Sequence, residues 1–312
     1  RQILMLRGLK LPKVLIIGLD ALEYNIVTAF YFKTLLQRDY GKIDLTPYKM
    51  KLITPWLWSI IISGHIDTGI THFVKYESKV LYFIEKILTH PILYKKIEKI
   101  IENLRKRKRD RSGTAFFFYR RGVKVRPMGK EDLKVKTIFE IIPKSYPICI
   151  PGYNLWREQF LVDLLLPLTK CIGNRELTLK RLRLQWLLEK KKKKILEQLL
   201  RHGDWNLIMV HFYITDVVGH LYWNKPIMLL ETYKIMSRWI REWKTILNTY
   251  TEPVWILILS DHGMRRGLHT DHAFWSSNFK LKKRPRQLTD FFRLVTTYFQ
   301  NPSEVVKIEI TH

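Results

Sequence analysis

Uninterrupted apolar runs mark the strands that this chain is expected to form. Val254–Leu259 reads Val-Trp-Ile-Leu-Ile-Leu, and Lys13–Leu19 and residues 206–212 have the same character. Runs of this length are too short to span a membrane, and their β-branched and aromatic residues are typical of strands buried on both faces of a parallel sheet. Residues 49–53 and 145–152 predict two further strands.

Between these runs the apolar residues take helical spacing. The segments with that spacing are residues 22–37, 54–64, 175–200, Pro226–Leu247 and residues 288–299. Strands that alternate with helices of this length predict an α/β fold with a mostly parallel sheet. The expected architecture is a three-layer α/β/α sandwich.

Residues 65–129 do not continue the alternation. Residues 80–88 and 92–104 have the spacing of amphipathic helices, and residues 105–111 form a basic run. A basic run is usually a solvated loop or helix face, and the alternative is a contact with nucleic acid or anionic lipid. We interpret residues 1–312 as one catalytic domain and residues 65–129 as a helical insertion or lid within it.

The composition adds a strong electrostatic bias. The chain has 312 residues, and 55 Lys and Arg against 28 Asp and Glu give a formal charge of +27. A charge of this size predicts attraction to polyanions such as nucleic acid, anionic membrane surfaces or phosphorylated substrates. Cys149 and Cys171 do not make a disulfide framework, and we see no transmembrane segment or signal peptide. The expected location is therefore cytoplasmic.

Four polar residues come directly after predicted strands: Asp20, Thr54, Asp216 and Asp261. In an open α/β sheet these strand ends lie along one edge, where ligands bind. Each residue also has an ordinary structural interpretation, since Asp and Thr are common helix caps. With Pro55 at the first helical position, Thr54 is the expected N-cap, and a helix N-terminus can bind an anion such as phosphate.

Histidines accompany these carboxylates. His220 follows Asp216 by four residues, on the same face of a helical turn, His262 follows Asp261 directly, and His269 comes shortly afterwards. Three Asp and three His suit two divalent metal ions, Zn²⁺ above all, with Mn²⁺ or Mg²⁺ as alternatives. A threonine hydroxyl beside such ions can be activated as a nucleophile for displacement at phosphorus.

Five segments, in order, resemble the alkaline phosphatase superfamily, and in particular compact archaeal forms of the type I phosphodiesterase/nucleotide pyrophosphatase family. They are Ile17-Gly-Leu-Asp-Ala21, Thr54-Pro-Trp-Leu-Trp-Ser-Ile-Ile-Ile-Ser-Gly64, Thr215-Asp-Val-Val-Gly-His220, Ser260-Asp-His-Gly-Met264 and His269-Thr-Asp-His-Ala-Phe274. The resemblance implies an alkaline-phosphatase-like fold and a phosphate-ester substrate such as a nucleotide.

The resemblance also implies roles for individual residues. Asp20, Asp261, His262 and the Thr54 oxygen would hold one metal ion. The ligands of the other ion would be Asp216, His220 and His269. Thr54 would attack phosphorus to give a covalent phospho-enzyme, which water then hydrolyses. His272 is the competing choice for the last ligand, and His269 is preferred because Ala273 and Phe274 follow it at the family's spacing.

The sequence departs from the family around the nucleophile. Trp56, Leu57 and Trp58 are bulky where members often carry a small or polar residue, and the asparagine that holds a phosphoryl oxygen in eukaryotic members is not recognisable. Lys75, Arg120 or Arg121 could replace it. These departures leave a phosphomonoesterase as an alternative to a phosphodiesterase. The formal charge of +27 supports a second alternative, a basic polyanion-binding protein on a degenerate phosphatase fold.

Overall fold

The computed structural model describes residues 12–51, 53–70, 74–76 and 125–307. Ten strands lie in these ranges and are numbered β1 to β10 in chain order: Lys13–Leu19, Asp39–Asp44, Val74–Tyr76, Val125–Pro127, Ser145–Ile148, Leu207–Phe212, Val254–Leu259, Met264–Arg265, Leu268–His269 and His272–Ser277. Six of them form the central sheet, in the order β2-β10-β7-β1-β6-β5.

The sheet is mostly parallel. β1 lies in its middle and pairs in parallel with β7 on one side and β6 on the other, and β6 pairs in parallel with β5. β10 is antiparallel to both β7 and β2. The carboxyl ends of β1, β6 and β7 therefore meet at one edge of the sheet.

Helices cover both faces of this sheet. The α-helices in the described ranges are Tyr24–Ala29, Lys33–Leu36, Thr54–Ser63, Ile138–Ile141, Arg157–Leu165, Leu168–Cys171, Arg175–His202, Ile214–Leu221, Pro226–Leu247, Asp290–Gln300 and Pro302–Val305. Short 3₁₀ helices span Thr46–Lys51 and Lys130–Asp132.

Alternate residues of β1 serve two separate hydrophobic cores. Val14 and Ile16 pack in a core with the helices Thr54–Ser63 and Asp290–Gln300. Leu15 and Ile17 pack in a second core with the helices Arg175–His202 and Pro226–Leu247. Because neighbouring strand residues point to opposite faces, a strand that is apolar at every position is covered on both faces. This arrangement confirms the predicted α/β/α sandwich.

The chain before Thr54 differs from the prediction. The expected strand at 49–53 is wrong: the polypeptide forms a 3₁₀ helix at Thr46–Lys51, and the strand lies earlier, at Asp39–Asp44. Asp39–Asp44 lacks a continuous apolar run, because this strand lies at the edge of the sheet and is only half covered. The predicted helix over residues 22–37 is two short helices, Tyr24–Ala29 and Lys33–Leu36.

The two ends of the 65–129 segment lie side by side. Val74–Tyr76 and Val125–Pro127 pair as a two-stranded antiparallel ribbon, with Lys75 opposite Arg126. An insertion leaves and rejoins a domain in this way, and the lid itself stays a prediction. Residues 77–124, with the predicted amphipathic helices, the basic run and Arg120 and Arg121, lie outside the described residues.

Within the described ranges, every helix is too short or too polar to cross a lipid bilayer. Cys149 and Cys171 are both buried free thiols.

Candidate metal centre

The sheet edge brings the ends of three strands together, those of β1, β6 and β7. In the parallel register Gly18 pairs with Leu259 on one side and with His211 on the other. The residues that follow, Asp20 and Asp261, therefore come to the same place, and both are almost completely buried. The Thr215 hydroxyl donates a hydrogen bond to the Asp20 carbonyl, which ties the following helix to β1.

The first cluster at this edge consists of Asp216, His220 and His269. Asp216 Oδ1 lies 3.2 Å from His220 Nε2 and 3.4 Å from His269 Nε2. The two Nε2 atoms are 3.0 Å apart. Asp216 and His220 share one face of the helix Ile214–Leu221, and His269 comes from the hairpin formed by β8 and β9. Three ligand atoms from two elements thus converge within 4.8 Å of one another.

The second cluster consists of Asp20, Asp216 and His262, whose ligand atoms also lie within 4.8 Å of one another. His262 Nε2 is 3.5 Å from Asp20 Oδ1 and 3.3 Å from Asp261 Oδ2. Asp216 belongs to both clusters, and the rings of His262 and His269 stack with centroids 3.7 Å apart. The family resemblance assigned Asp261 to this group, whereas the compact set in the structure contains Asp216 and has Asp261 beside it.

Backbone carbonyls orient two of the histidines. His220 Nδ1 lies 2.9 Å from the Gly267 carbonyl, and His262 Nδ1 lies 3.2 Å from the Gly263 carbonyl. An Nδ1–H that donates to a carbonyl leaves the lone pair on Nε2, the atom that faces the carboxylates in both cases. This is how proteins commonly fix the tautomer of a metal-binding imidazole.

The two clusters bring several carboxylates together in a largely buried site. Burial, and then the neighbouring charges of Asp261 and Asp216, raise the pKa of Asp20 well above its usual value. Burial acts in the same direction on Asp216, but the His220 and His269 imidazoles outweigh it and hold the pKa of Asp216 well below its usual range. Burial lowers the pKa of His262, which keeps this imidazole neutral and able to act as a ligand.

Several of these atoms have no hydrogen-bond partner among the described residues. They are Asp20 Oδ1, Asp216 Oδ1, both carboxylate oxygens of Asp261 and His262 Nε2. Buried polar atoms are nearly always hydrogen-bonded, so a group of unpartnered oxygens and an imidazole nitrogen requires another explanation. A divalent cation satisfies such atoms, and carboxylate oxygen with imidazole nitrogen is a donor set that Zn²⁺ and similar ions accept. The residues present therefore fit a metal centre.

Thr54 lies on the helix that packs over this edge. Trp58, one turn further along and on the same helix face, has its ring 4.7 Å from the ring of His211. His211 Nε2 in turn lies 3.6 Å from Asp20 Oδ2. These contacts place Trp58 close to Asp20 through His211, and within the described residues no hydrogen bond joins Thr54 to the clustered ligands.

The start of that helix differs from the expectation. Ile53 is the N-cap and Thr54 is the first helical residue. Pro55 has no N–H, and the N–H groups of Trp56 and Leu57 both donate to the Ile53 carbonyl. The expected anion site at this helix N-terminus therefore has few free donors. The predicted end is confirmed, because Gly64 adopts φ +73° at the C-cap.

His272 belongs to a different arrangement from His269. Its Nε2 lies 2.9 Å from Glu23 Oε1, and Glu23 Oε2 accepts hydrogen bonds from the Met264 amide at 3.0 Å and the Thr270 hydroxyl at 3.2 Å. Burial acts to raise the pKa of Glu23, but the bonds from His272 and the Asn25 amide outweigh it and lower this pKa. Glu23 thus ties the hairpin that carries His269 to the end of β1, and this geometry favours His269 as the ligand.

Sequence reasoning missed the supporting residues His211, Glu23, Glu189 and Lys192. His211 is a fully buried histidine inside the apolar run of β6, and that interruption is the signal that could have revealed it. Glu189 and Lys192 form a completely buried ion pair, 3.0 Å apart, on the long helix Arg175–His202. Glu189 also accepts the Tyr213 amide at 2.9 Å, just before the helix with Asp216 and His220.

Comparison with known proteins identifies the family of this chain. The model of the type I phosphodiesterase/nucleotide pyrophosphatase family matches residues 65–308. The chain belongs to this family, which is part of the alkaline phosphatase superfamily and consists of hydrolases that act on phosphoric ester bonds. Asp216, His220, Asp261, His262 and His269 fall inside the match, whereas Asp20 and Thr54 precede it.

A solved structure with similarity to the chain is that of the PH0037 protein from Pyrococcus horikoshii. It has 13% sequence identity and a TM-score of 0.41, over 96% of this chain and 99% of that chain. At this level of similarity the family assignment depends on the sequence match. No curated protein matches the chain.

Proposed function

We propose that the protein is a two-metal phosphohydrolase that cleaves phosphodiester or nucleotide pyrophosphate bonds with Thr54 as nucleophile. The observation that carries this proposal is the group of buried carboxylate oxygens and imidazole nitrogens without hydrogen-bond partners at the carboxyl edge of the sheet. The family match supplies the reaction class, the hydrolysis of phosphoric esters.

Asp216, His220 and His269 would hold one divalent ion, and Asp20, Asp261 and His262 would hold the other, with Asp216 close enough to contact both. When bound, such ions neutralise the clustered carboxylates, withdraw charge from the phosphoryl oxygens and acidify nearby hydroxyl groups. Zn²⁺ fits the mixed oxygen and nitrogen donors best, and Mn²⁺ or Mg²⁺ are the alternatives.

The chain's own residues would perform two displacements. Thr54 Oγ1 loses its proton and forms a bond to phosphorus as the bond to the leaving-group oxygen breaks, and that oxygen departs with the electron pair and takes up a proton. Water then loses a proton and attacks the phosphorus of the phosphorylated Thr54, and the Thr54 oxygen leaves with the electron pair and is reprotonated. The buried position of Thr54, which is 7% exposed, limits competition from bulk water in the first step.

Substitution of Thr54 tests this assignment. Thr54→Ala is expected to lower kcat for bis-p-nitrophenyl phosphate at least about a thousandfold, because it removes the attacking atom. Thr54→Ser keeps a hydroxyl and is expected to retain measurable turnover. Both variants should bind nearly the native amount of metal, measured by elemental analysis after dialysis. Full activity of Thr54→Ala would refute the nucleophile assignment.

The same assay decides the class of ester. A diester preference is expected, with bis-p-nitrophenyl phosphate cleaved faster than p-nitrophenyl phosphate at equal concentration. A preference for p-nitrophenyl phosphate would place the protein among the phosphomonoesterases instead.

A further inference from the structure

A cavity of about 490 Å³ opens behind the hairpin that carries His269. Its walls come from the chain after the helix Ile214–Leu221, including Tyr222, Trp223 and Pro226, and from the hairpin residues Arg265 and Arg266. None of the six candidate metal ligands lines it. The cavity therefore lies beside the metal centre and is separate from it.

Wall residues of this cavity, and residues next to them in the sequence, include several large apolar side chains that are exposed to solvent. We call the following residues the rim patch: Trp223, Ile227, Met228 and Leu268, which are 54%, 58%, 39% and 72% exposed, together with Lys225, Arg265 and Arg266. The two halves of the patch touch, since a Cβ built on Gly267 would lie 3.1 Å from the Trp223 side chain. Clustered exposed apolar residues of this kind mark an interaction surface.

The charge of the rim patch indicates which kind of surface it binds. Lys225, Arg265 and Arg266 are exposed, and among the described residues neither arginine takes part in an ion pair. The whole chain carries a formal charge of +27. A tryptophan, aliphatic side chains and cations on one exposed surface are the combination that inserts shallowly into the headgroup region of an anionic bilayer.

We propose that the rim patch docks the protein on an anionic lipid surface. The apolar side chains enter the headgroup layer and the three cations lie against lipid phosphates. His220 precedes Trp223 by three residues and His269 follows Leu268 directly, so docking brings the candidate metal centre next to the membrane. Binding does not depend on the proposed hydrolysis and can be measured without turnover.

Vesicle flotation with native protein and paired variants tests the apolar part. Native protein is expected to bind vesicles of phosphatidylcholine with phosphatidylglycerol and to bind pure phosphatidylcholine weakly. Ile227→Ala with Leu268→Ala is expected to lower the partition coefficient about tenfold or more, since both side chains lose buried apolar area. The matched control is Leu179→Ala with Leu187→Ala, at 53% and 58% exposure on the long helix, which should bind like native protein.

A charge-reversal pair tests the electrostatic part. Arg265→Glu with Arg266→Glu should lower binding at least about tenfold, because each cation near an anionic surface contributes severalfold to the partition coefficient. Lys190→Glu with Lys194→Glu makes the same charge change on the exposed side of the long helix and should have a much smaller effect.

A fluorescent label reports insertion directly. Cys149 and Cys171 are 0% exposed, so an environment-sensitive dye on Ile227→Cys labels one site. Its emission should shift to the blue when anionic vesicles are added. Three results would overturn the proposal: no vesicle binding by native protein, equal losses in the control pairs, or loss only on charge reversal, which would indicate a general polyanion contact such as RNA.

Discussion

Asp20→Asn has opposite expected effects on stability with and without metal. Without metal, the Asp20 carboxylate is buried beside Asp216 and Asp261 and has an oxygen with no hydrogen-bond partner among the described residues. Its ligand oxygen lies within 4.8 Å of that of Asp216, and at an effective dielectric constant of about 20 the repulsion of two charges at that distance is about 3 kcal/mol. Removing the Asp20 charge relieves this repulsion.

The pH dependence has a definite sign. The pKa of Asp20 is raised in the folded protein by burial and the neighbouring carboxylates, so the folded state binds the proton more tightly than the unfolded state. Metal-free protein therefore loses stability as the pH rises from the unfolded pKa toward the folded pKa. At pH above that range, Asp20→Asn should increase the free energy of unfolding of the metal-free protein by about 2–3 kcal/mol.

The assay is urea unfolding of chelator-treated protein and of protein with excess Zn²⁺. With Zn²⁺ the sign should reverse, because the native site binds metal more tightly and ligand binding stabilises the folded state. Asp39→Asn is the matched control: Asp39 is equally buried, but its carboxylate accepts the Leu281 amide at 3.0 Å and pairs with Arg284 at 2.8 Å. Asp39→Asn should lower the free energy of unfolding both without metal and with Zn²⁺. The reasoning would be refuted if Asp20→Asn destabilised the metal-free protein as much as Asp39→Asn does.

Three other substitutions test the supporting structure. Gly152→Ala should destabilise by about 2 kcal/mol or more and reduce activity, since Gly152 has φ +70° and a Cβ would lie 2.3 Å from the carbonyl oxygen of Pro55, the residue after the proposed nucleophile. Lys192→Met should destabilise by about 3–5 kcal/mol, because Glu189 would remain completely buried without its ion-pair partner. His272→Gln should cost roughly 1–2 kcal/mol at about pH 5–6, where Glu23 is ionised and His272 is protonated, measured by urea unfolding as a function of pH. The bond to the buried glutamate raises the pKa of His272, so this loss should shrink as the pH rises through that pKa.

Each of these has its own control. Gly173→Ala keeps the glycine-to-alanine change at φ +81° where no atom lies within 4 Å of a new Cβ, so it isolates the clash from the backbone strain. Combining Lys192→Met with Glu189→Gln should recover most of the lost stability. A His272→Gln effect that is the same at every pH would contradict the ionic contribution of His272.

The sequence predicted the fold where apolar residues were continuous. Lys13–Leu19, Leu207–Phe212 and Val254–Leu259 are buried strands, and Pro226–Leu247 has the bounds that its pattern indicated. The prediction failed before Thr54, because the strand Asp39–Asp44 lies at a half-covered edge and has no apolar run. Residues 49–53, in which Met50, Leu52 and Ile53 accompany two lysines, resembled a strand more than the true strand does.

The site was predictable to the extent that its residues follow strands or share a helical turn. Asp216 and His220 are an example, because their spacing alone places them on one face. The contact of Asp216 with both clusters and the pairing of His272 with Glu23 could not be read from spacing. They depend on how the hairpin Met264–His269 folds back across the sheet edge, which is a tertiary contact.

The most direct test of the central claim is a titration of metal-stripped protein with Zn²⁺, followed by the initial rate of bis-p-nitrophenyl phosphate hydrolysis. Two clusters that share Asp216 predict that activity rises until about two equivalents are bound per chain and then reaches a plateau. Full activity at one equivalent, or a rate unaffected by removal and return of metal, would contradict the two-metal account.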